Sequence, residues 1–273
     1  MTESIKTGSA SKLGVALVTG ASAGIGATYA KRLAARGYDL ILTARRADRL
    51  DALAVSLRAE YGVHVTTLPA DLAISGDVER VAEHIERDES ITMLINNAGV
   101  GTLKPVGDMG PESLAAMTDV NVSALVRLSQ AAILAFRKRN AGTLVNIGSV
   151  LGFHSLAMSA AYSGTKGYVM SFTRGLQAEI EGTNIVVQLV APATTATDIW
   201  ERAGIPLEAL GLETVMSVDN LVDAALAGLD QGELVTLPSV EDPQLFTDYE
   251  EARSKLFAAS QNGTPASRYK LPA

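Results

Sequence analysis

Apolar and polar positions along the chain alternate between two periods. Seven short runs are apolar throughout or on every second residue and read as strands: GVALVT (14–19), DLILT (39–43), VHVTTLP (63–69), ITMLI (91–95), GTLVNIG (142–148), NIVVQLV (184–190) and ELVTLP (233–238). Between them, apolar residues recur every three or four positions, the mark of amphipathic helices. These are predicted up to Arg36, over ADRLDALAVSLRAEYG with Gly62 as its stop, and over 75–88 behind a Ser75 N-cap. Others run from Pro111 in a first turn towards Asn140, over 160–181 and near 217–228. Strands alternating with helices over short connections predict an α/β fold, a doubly wound seven-stranded parallel sheet with helices on both faces. No shift in composition suggests a linker. The expectation is a flexible segment over 1–12 and one domain over 13–273. One stretch, 191–216, breaks the rhythm, and an interruption that long is expected to serve as a substrate lid. Residues 239–273 read as an appended helix and tail.

Composition narrows the chemistry. The chain of 273 residues is 47% hydrophobic and 19% charged, enough for one large core. A net charge of −7 argues against a nucleic-acid surface, which needs a basic face. With no cysteine, disulfides, thiolate metal sites and cysteine nucleophiles are all excluded. The three histidines, His64, His84 and His154, have no ligand spacing, so no metal site is expected. The amino-terminal MTESIKTGSASK lacks the apolar core of a signal peptide. No run approaches the roughly 18 apolar residues of a membrane span. A soluble, cytoplasmic protein without a membrane partner is expected.

Two stretches carry chemistry. TGASAGIG (19–26) lies between the first strand and the first helix. There Gly20 permits a tight turn, Gly24 lets the backbone approach a pyrophosphate, and Gly26 lets the helix pack on the strand. Free N–H groups and the helix dipole would hold the anion. In YSGTK, Tyr162 and Lys166 stand four apart on a helix and so share a face. A cation near a phenol favours the phenolate and would lower its pKa towards a useful working range. Ser149, at the end of the fifth strand, points to the carboxyl edge where crevices form, and its hydroxyl could donate to a carbonyl oxygen beside Tyr162.

Taken together, TGASAGIG, NNAG (96–99), Asn121, Ser149 and Tyr162 with Lys166 resemble the short-chain dehydrogenase/reductase family over residues 13 to about 200. The resemblance implies a Rossmann-like fold and catalysis by Asn121, Ser149, Tyr162 and Lys166, with the asparagine positioning a water in a proton path. It implies oxidoreduction of a carbonyl or secondary alcohol by hydride transfer, with Tyr162 as general acid or base. A non-catalytic nucleotide-binding regulator and a dehydratase or epimerase on the same fold are the alternatives.

The family's acidic position at the end of the second strand is Ala44 here, followed by Arg45 and Arg46. A missing carboxylate and an added guanidinium favour a 2′-phosphate, so NADP(H) is the expected cofactor, with selectivity resting mainly on Arg45. The resemblance also implies cofactor contacts at Ser22, Ala23 and Ile25 in the glycine turn, and at Asp71 with Leu72 for the adenine. Asn97, Ala98 and Gly99 would floor the adenosine side, Lys166 would reach the ribose, and Thr197 would meet the carboxamide. Pro192 would be a further cofactor contact, although it is followed by Ala193 where the family usually has glycine.

The substrate pocket is expected from Leu151, Phe153 and His154 after Ser149, and from Thr194, Ile199 and Trp200 on the lid. Met158 is a further candidate. These walls favour an uncharged, hydrophobic ketone or aldehyde, with Arg202 as the one nearby cation able to bind an acid. A homodimer or homotetramer is expected through helices 111–139 and 160–181, with Leu125, Leu128, Ala132, Val169 and Phe172 facing outwards.

Overall fold

The computed structural model describes residues 13–197, 206 and 211–270. The apolar runs form seven parallel strands: β1 (Val15–Thr19), β2 (Asp39–Thr43), β3 (Val65–Thr67), β4 (Ile91–Asn96), β5 (Gly142–Ile147), β6 (Ile185–Val190) and β7 (Val235–Thr236). They lie in the order β3-β2-β1-β4-β5-β6-β7. Winding therefore reverses between β1 and β4, and the carboxyl ends there open a crevice. The outermost strands β3 and β7 are shorter than their apolar runs, since each finds a partner on one side only.

Side-chain alternation along the strands feeds two cores. Ala16 and Val18 of β1 point to one face, where they pack with residues of α1 (Gly24–Ala35), α2 (Ala47–Tyr61) and α6 (Val218–Asp230). Leu17 points to the other, towards α3 (Ser75–Arg87), α4 (Pro111–Arg139) and α5 (Ala160–Glu179). Gly62 ends α2 in the left-handed conformation, φ 69°, as its stop signal implies. Ser75 is not a cap. It is the first residue of α3 and Ile74 stands at the N-cap, where no side chain bonds the free amides.

Helix α4 departs from expectation twice. With 29 residues it is long and apolar enough, by length and composition alone, to cross a membrane, yet most of that stretch is buried as in a core helix. It is also not uniformly α-helical: Asp119–Ala124 forms a π-helical turn with Asn121 inside it. The face assigned to subunit contact is corrected as well. Leu125, Leu128, Ala132 and Val169 are buried within the fold, and Phe172 is partly buried against the same cores. Their periodicity reflects sheet packing, which produces the same stripe on a helix as an outer contact would.

Residues up to Pro238 form one compact unit and Ser239–Ala273 form a second. No linker-like stretch marks this division in the sequence. The second unit is built on α7 (Gln244–Ser260), whose start is held by the Asp242 carboxylate accepting from the Gln244 N–H at 2.9 Å.

Candidate active site

The glycine turn joins β1 to α1. Gly20 and Gly24 take φ of 67° and 52°, left-handed values open to glycine at little cost. At Gly26 a side chain would overlap the Gly20 carbonyl and the Asn97 amide, so α1 packs on the turn itself rather than on the strand. Asn97 braces the turn by donating from Nδ2 to the Thr19 carbonyl at 2.9 Å. Thr19 Oγ1 in turn accepts from the N–H groups of Asn97 and Ala98, each at 3.0 Å, fixing NNAG against β1. Asn96 turns inward instead and donates to Ser129 and Asn146 in a buried network.

Beyond β2 the two arginines differ. Arg45 is exposed, whereas Arg46 is half-buried and donates from Nη2 to the Ser22 hydroxyl at 3.0 Å. The guanidinium of Arg46 is thus already tethered to the glycine turn, and both arginines line the same cavity. Asp71 and Leu72 lie four and five residues past the end of β3, in the connection to α3, and both line the crevice.

At the other end, β5 stops at Ile147, and the Gly148 N–H still bonds the Val190 carbonyl at 2.7 Å. Ser149 follows as the N-cap of a single 3₁₀ turn, its hydroxyl accepting from the Leu151 N–H at 3.1 Å. That turn lies directly on α5: a Cβ at Gly152 would stand 2.8 Å from the Lys166 carbonyl. The Ser149 hydroxyl also donates to the Pro192 carbonyl at 3.4 Å, and it acts on the Tyr162 phenol to lower its pKa. Lys166 is buried, donates to the Ile147 carbonyl at 2.9 Å, and lies 5.7 Å from the centre of the Tyr162 ring.

The electrostatics correct one expectation. Burial pushes the Tyr162 phenol up to about 12, and the Ser149 hydrogen bond offsets only part of this. Burial also draws the Lys166 ammonium down to about 8. The expected lowering of the phenol by Lys166 does not occur in the free protein, because desolvation dominates and the ammonium turns to a backbone carbonyl. The Tyr162 phenol is therefore protonated across the neutral range.

One cavity of about 710 Å³ runs from the glycine turn and the arginine pair to Ser149, Tyr162 and Lys166. Gly20, Ser22, Ala23, Gly24, Ile25, Asp71, Leu72, Asn97, Ala98, Gly99, Leu151, Pro192, Thr194 and Thr197 also line it. Gly26 and Asn121 stand behind the wall. Gly99 belongs to the catalytic end: a Cβ there would be 3.4 Å from Asn121 Oδ1 and 3.9 Å from Lys166 Nζ. Phe153 and His154 are not part of the lining. Phe153 packs with Leu125, Val169, Met170 and Leu189, while His154 is exposed. Met158 is also exposed and outside the lining. Ile199, Trp200 and Arg202 lie outside the described residues. The reading of the sequence missed Val100, Gly101, Leu103, Val120, Val150 and Leu156, which also line the cavity. Val100–Leu103 directly follow NNAG, and that adjacency could have indicated them.

A family model described as short chain dehydrogenase matches residues 14–205. The chain belongs to the short-chain dehydrogenase family. Its fold is close to that of a short-chain dehydrogenase from Sphingobium yanoikuyae solved in complex with NADPH: TM-score 0.90, 43% identity, 94% of this chain and 100% of that one covered. A bulky-bulky ketone specific alcohol dehydrogenase from Comamonas testosteroni superposes with TM-score 0.88 at 38% identity, covering 96% and 100% of the two chains. In sequence, the very-long-chain 3-oxoacyl-CoA reductase of Anas platyrhynchos is 33% identical over 188 residues, which is 67% of this chain and 60% of that protein. This short-chain dehydrogenase is accordingly an oxidoreductase of Rossmann-like fold.

Proposed function

We propose that this enzyme reduces uncharged, largely hydrophobic ketones or aldehydes with NADPH, or oxidises the matching secondary alcohols, with Tyr162 moving the proton. The carrying observation is that one cavity joins a glycine turn with a tethered guanidinium to Ser149, Tyr162 and Lys166. The residues present fit a dinucleotide. Backbone amides of the glycine turn and the start of α1 would hold its phosphates, and Arg46 and Arg45 would supply the cations for a 2′-phosphate. When bound, NADPH supplies the hydride. The Ser149 hydroxyl then donates to the carbonyl oxygen, and Tyr162 delivers the proton that this oxygen must receive as it becomes an alcohol. In the reverse direction Tyr162 must first lose its proton. The NADPH bound to the Sphingobium protein and the ketones named for the Comamonas one support this reading.

Leu103, Val120, Val150, Leu151 and Leu156 line the catalytic end, and among the described residues Lys166 is the only cation there. Apolar walls reward burial of hydrocarbon at roughly 25 cal/mol per Å². In an assay of cofactor consumption, a phenyl alkyl ketone is expected to exceed its carboxylated analogue at least tenfold in kcat/KM. NADPH is expected to exceed NADH, and Arg46→Ala to weaken NADPH about tenfold while leaving NADH within twofold. A tenfold preference for the acid that Arg202→Ala abolishes, or equal use of the two cofactors by the wild type, overturns the respective part.

We also infer a homodimer or homotetramer, now on different residues of the same helices. Leu134 on α4 and Tyr168 on α5 are 46% and 49% exposed, and Tyr168 stacks on Phe172 at 6.2 Å. A monomeric mass by light scattering at micromolar concentration would reject it.

A further inference from the structure

Thr165 stands between Tyr162 and Lys166 on α5 and is buried. Its single hydroxyl works in both senses, donating to the Tyr162 carbonyl at 2.8 Å and accepting from Asn121 Nδ2 at 3.1 Å. The same Nδ2 also donates to the Val100 carbonyl at 2.8 Å, and Asn121 Oδ1 accepts from the Val100 N–H at 2.8 Å. Asn121 is therefore a bracket with three engaged groups. It grips the backbone of Val100 on both sides, and Val100 is part of the cavity wall. Among the described residues, Thr165 is the one side-chain hydrogen bond from Asn121 to the helix that carries Tyr162.

That tie matters because of where Asn121 sits. A π-helical turn replaces the regular i→i−4 ladder of the helix there, a departure often found at functional sites. The Thr165 hydroxyl also bonds back to the carbonyl of Tyr162 itself, in the turn that carries the phenol. Small displacements at a reacting centre are costly in rate, on the order of a hundredfold for 1 Å.

We propose that Thr165 is a positioning residue: through Asn121 it locks the Val100 wall to the first turn of α5, setting the separation between Tyr162 and the substrate's carbonyl oxygen. This rests on the reading of Tyr162 as the proton donor. Thr165→Val keeps the shape, removes the hydroxyl and leaves one Asn121 N–H without a partner. Thr165→Ser keeps the hydroxyl and loses the methyl.

The test measures kcat for a phenyl alkyl ketone and NADPH affinity by cofactor fluorescence. Thr165→Val is expected to lose about tenfold in kcat with NADPH affinity within twofold, and Thr165→Ser to stay within about threefold of the wild type. Thr165→Ala serves if the valine variant fails to fold, with the same expected loss. In a Tyr162→Phe background the further loss on Thr165→Val should shrink below about threefold, because the proton it positions is gone. Wild-type kcat in Thr165→Val, equal losses in the valine and serine variants, or an undiminished loss in the phenylalanine background each overturn the proposal. If instead Tyr162→Phe alone leaves kcat intact, it is the donor assignment that fails.

Discussion

Tyr162→Phe is expected to bind NADPH as the wild type does and to lose about a thousandfold in kcat. The ring, its packing and the helix are unchanged, and only the atom that carries the proton is removed. A positioned general acid contributes about 10²–10⁴ in rate, and a thousandfold corresponds to roughly 4 kcal/mol of barrier. Because burial pushes the phenol up to about 12, the donor is present throughout the neutral range. Reduction needs the protonated form, so the activity that depends on Tyr162 is present below its pKa and lost as pH rises through it. Oxidation needs the phenolate, so its rate should climb with pH over the same interval. A Tyr162→Phe variant within about tenfold of wild-type kcat, or a reduction rate that increases towards high pH, would show that another group moves the proton.

Lys166→Met should separate activity from stability in opposite directions. The folded protein depresses this ammonium from 10.5 to about 8, because burial disfavours its charge. At neutral pH the fold must therefore hold a charge it disfavours, a cost on the order of 3 kcal/mol for the difference between the two states. That cost is present in full below about pH 8 and disappears as pH rises to the unfolded value of 10.5. Methionine fills similar space without charge, and it forfeits the hydrogen bond to the Ile147 carbonyl, worth about 1 kcal/mol. The net expectation is a gain of roughly 2 kcal/mol at pH 7 that fades towards pH 10, together with loss of most turnover. Thermal melts of both proteins across that range, paired with kcat, measure it. A methionine variant less stable than the wild type at pH 7 would mean that the buried ammonium is compensated by contacts beyond Ile147.

Such a cost is expected where a buried charge serves chemistry rather than folding. It also separates what is local in this protein from what is not. Strand and helix periodicities, the parallel order they imply and the glycine turn depend on neighbours a few residues away, and all were legible in the sequence. So was the assembly of TGASAGIG, NNAG and YSGTK around one crevice, because a doubly wound sheet brings the carboxyl ends of β1, β4 and β5 together whatever their separation along the chain.

Other features were invisible at that level. A stripe such as Leu125, Leu128, Ala132 and Val169 has the same spacing whether it meets the sheet or another subunit, and only packing shows that it is core. Phe153 and Leu156 stand three residues apart after Ser149, yet the first packs into the core and the second lines the cavity. That choice depends on which way a short turn faces α5. Position after β2 favours Arg45 of the two arginines, and only the turn's approach gives Arg46 a partner in Ser22. The sign of the Tyr162 shift is the clearest case. Sequence places a cation one turn away and so suggests a lowered pKa, but the pKa also depends on how much water the fold removes and where the ammonium points. Periodicity and glycine placement act through bonds and near neighbours, whereas desolvation and side-chain direction are sums over the whole surrounding structure.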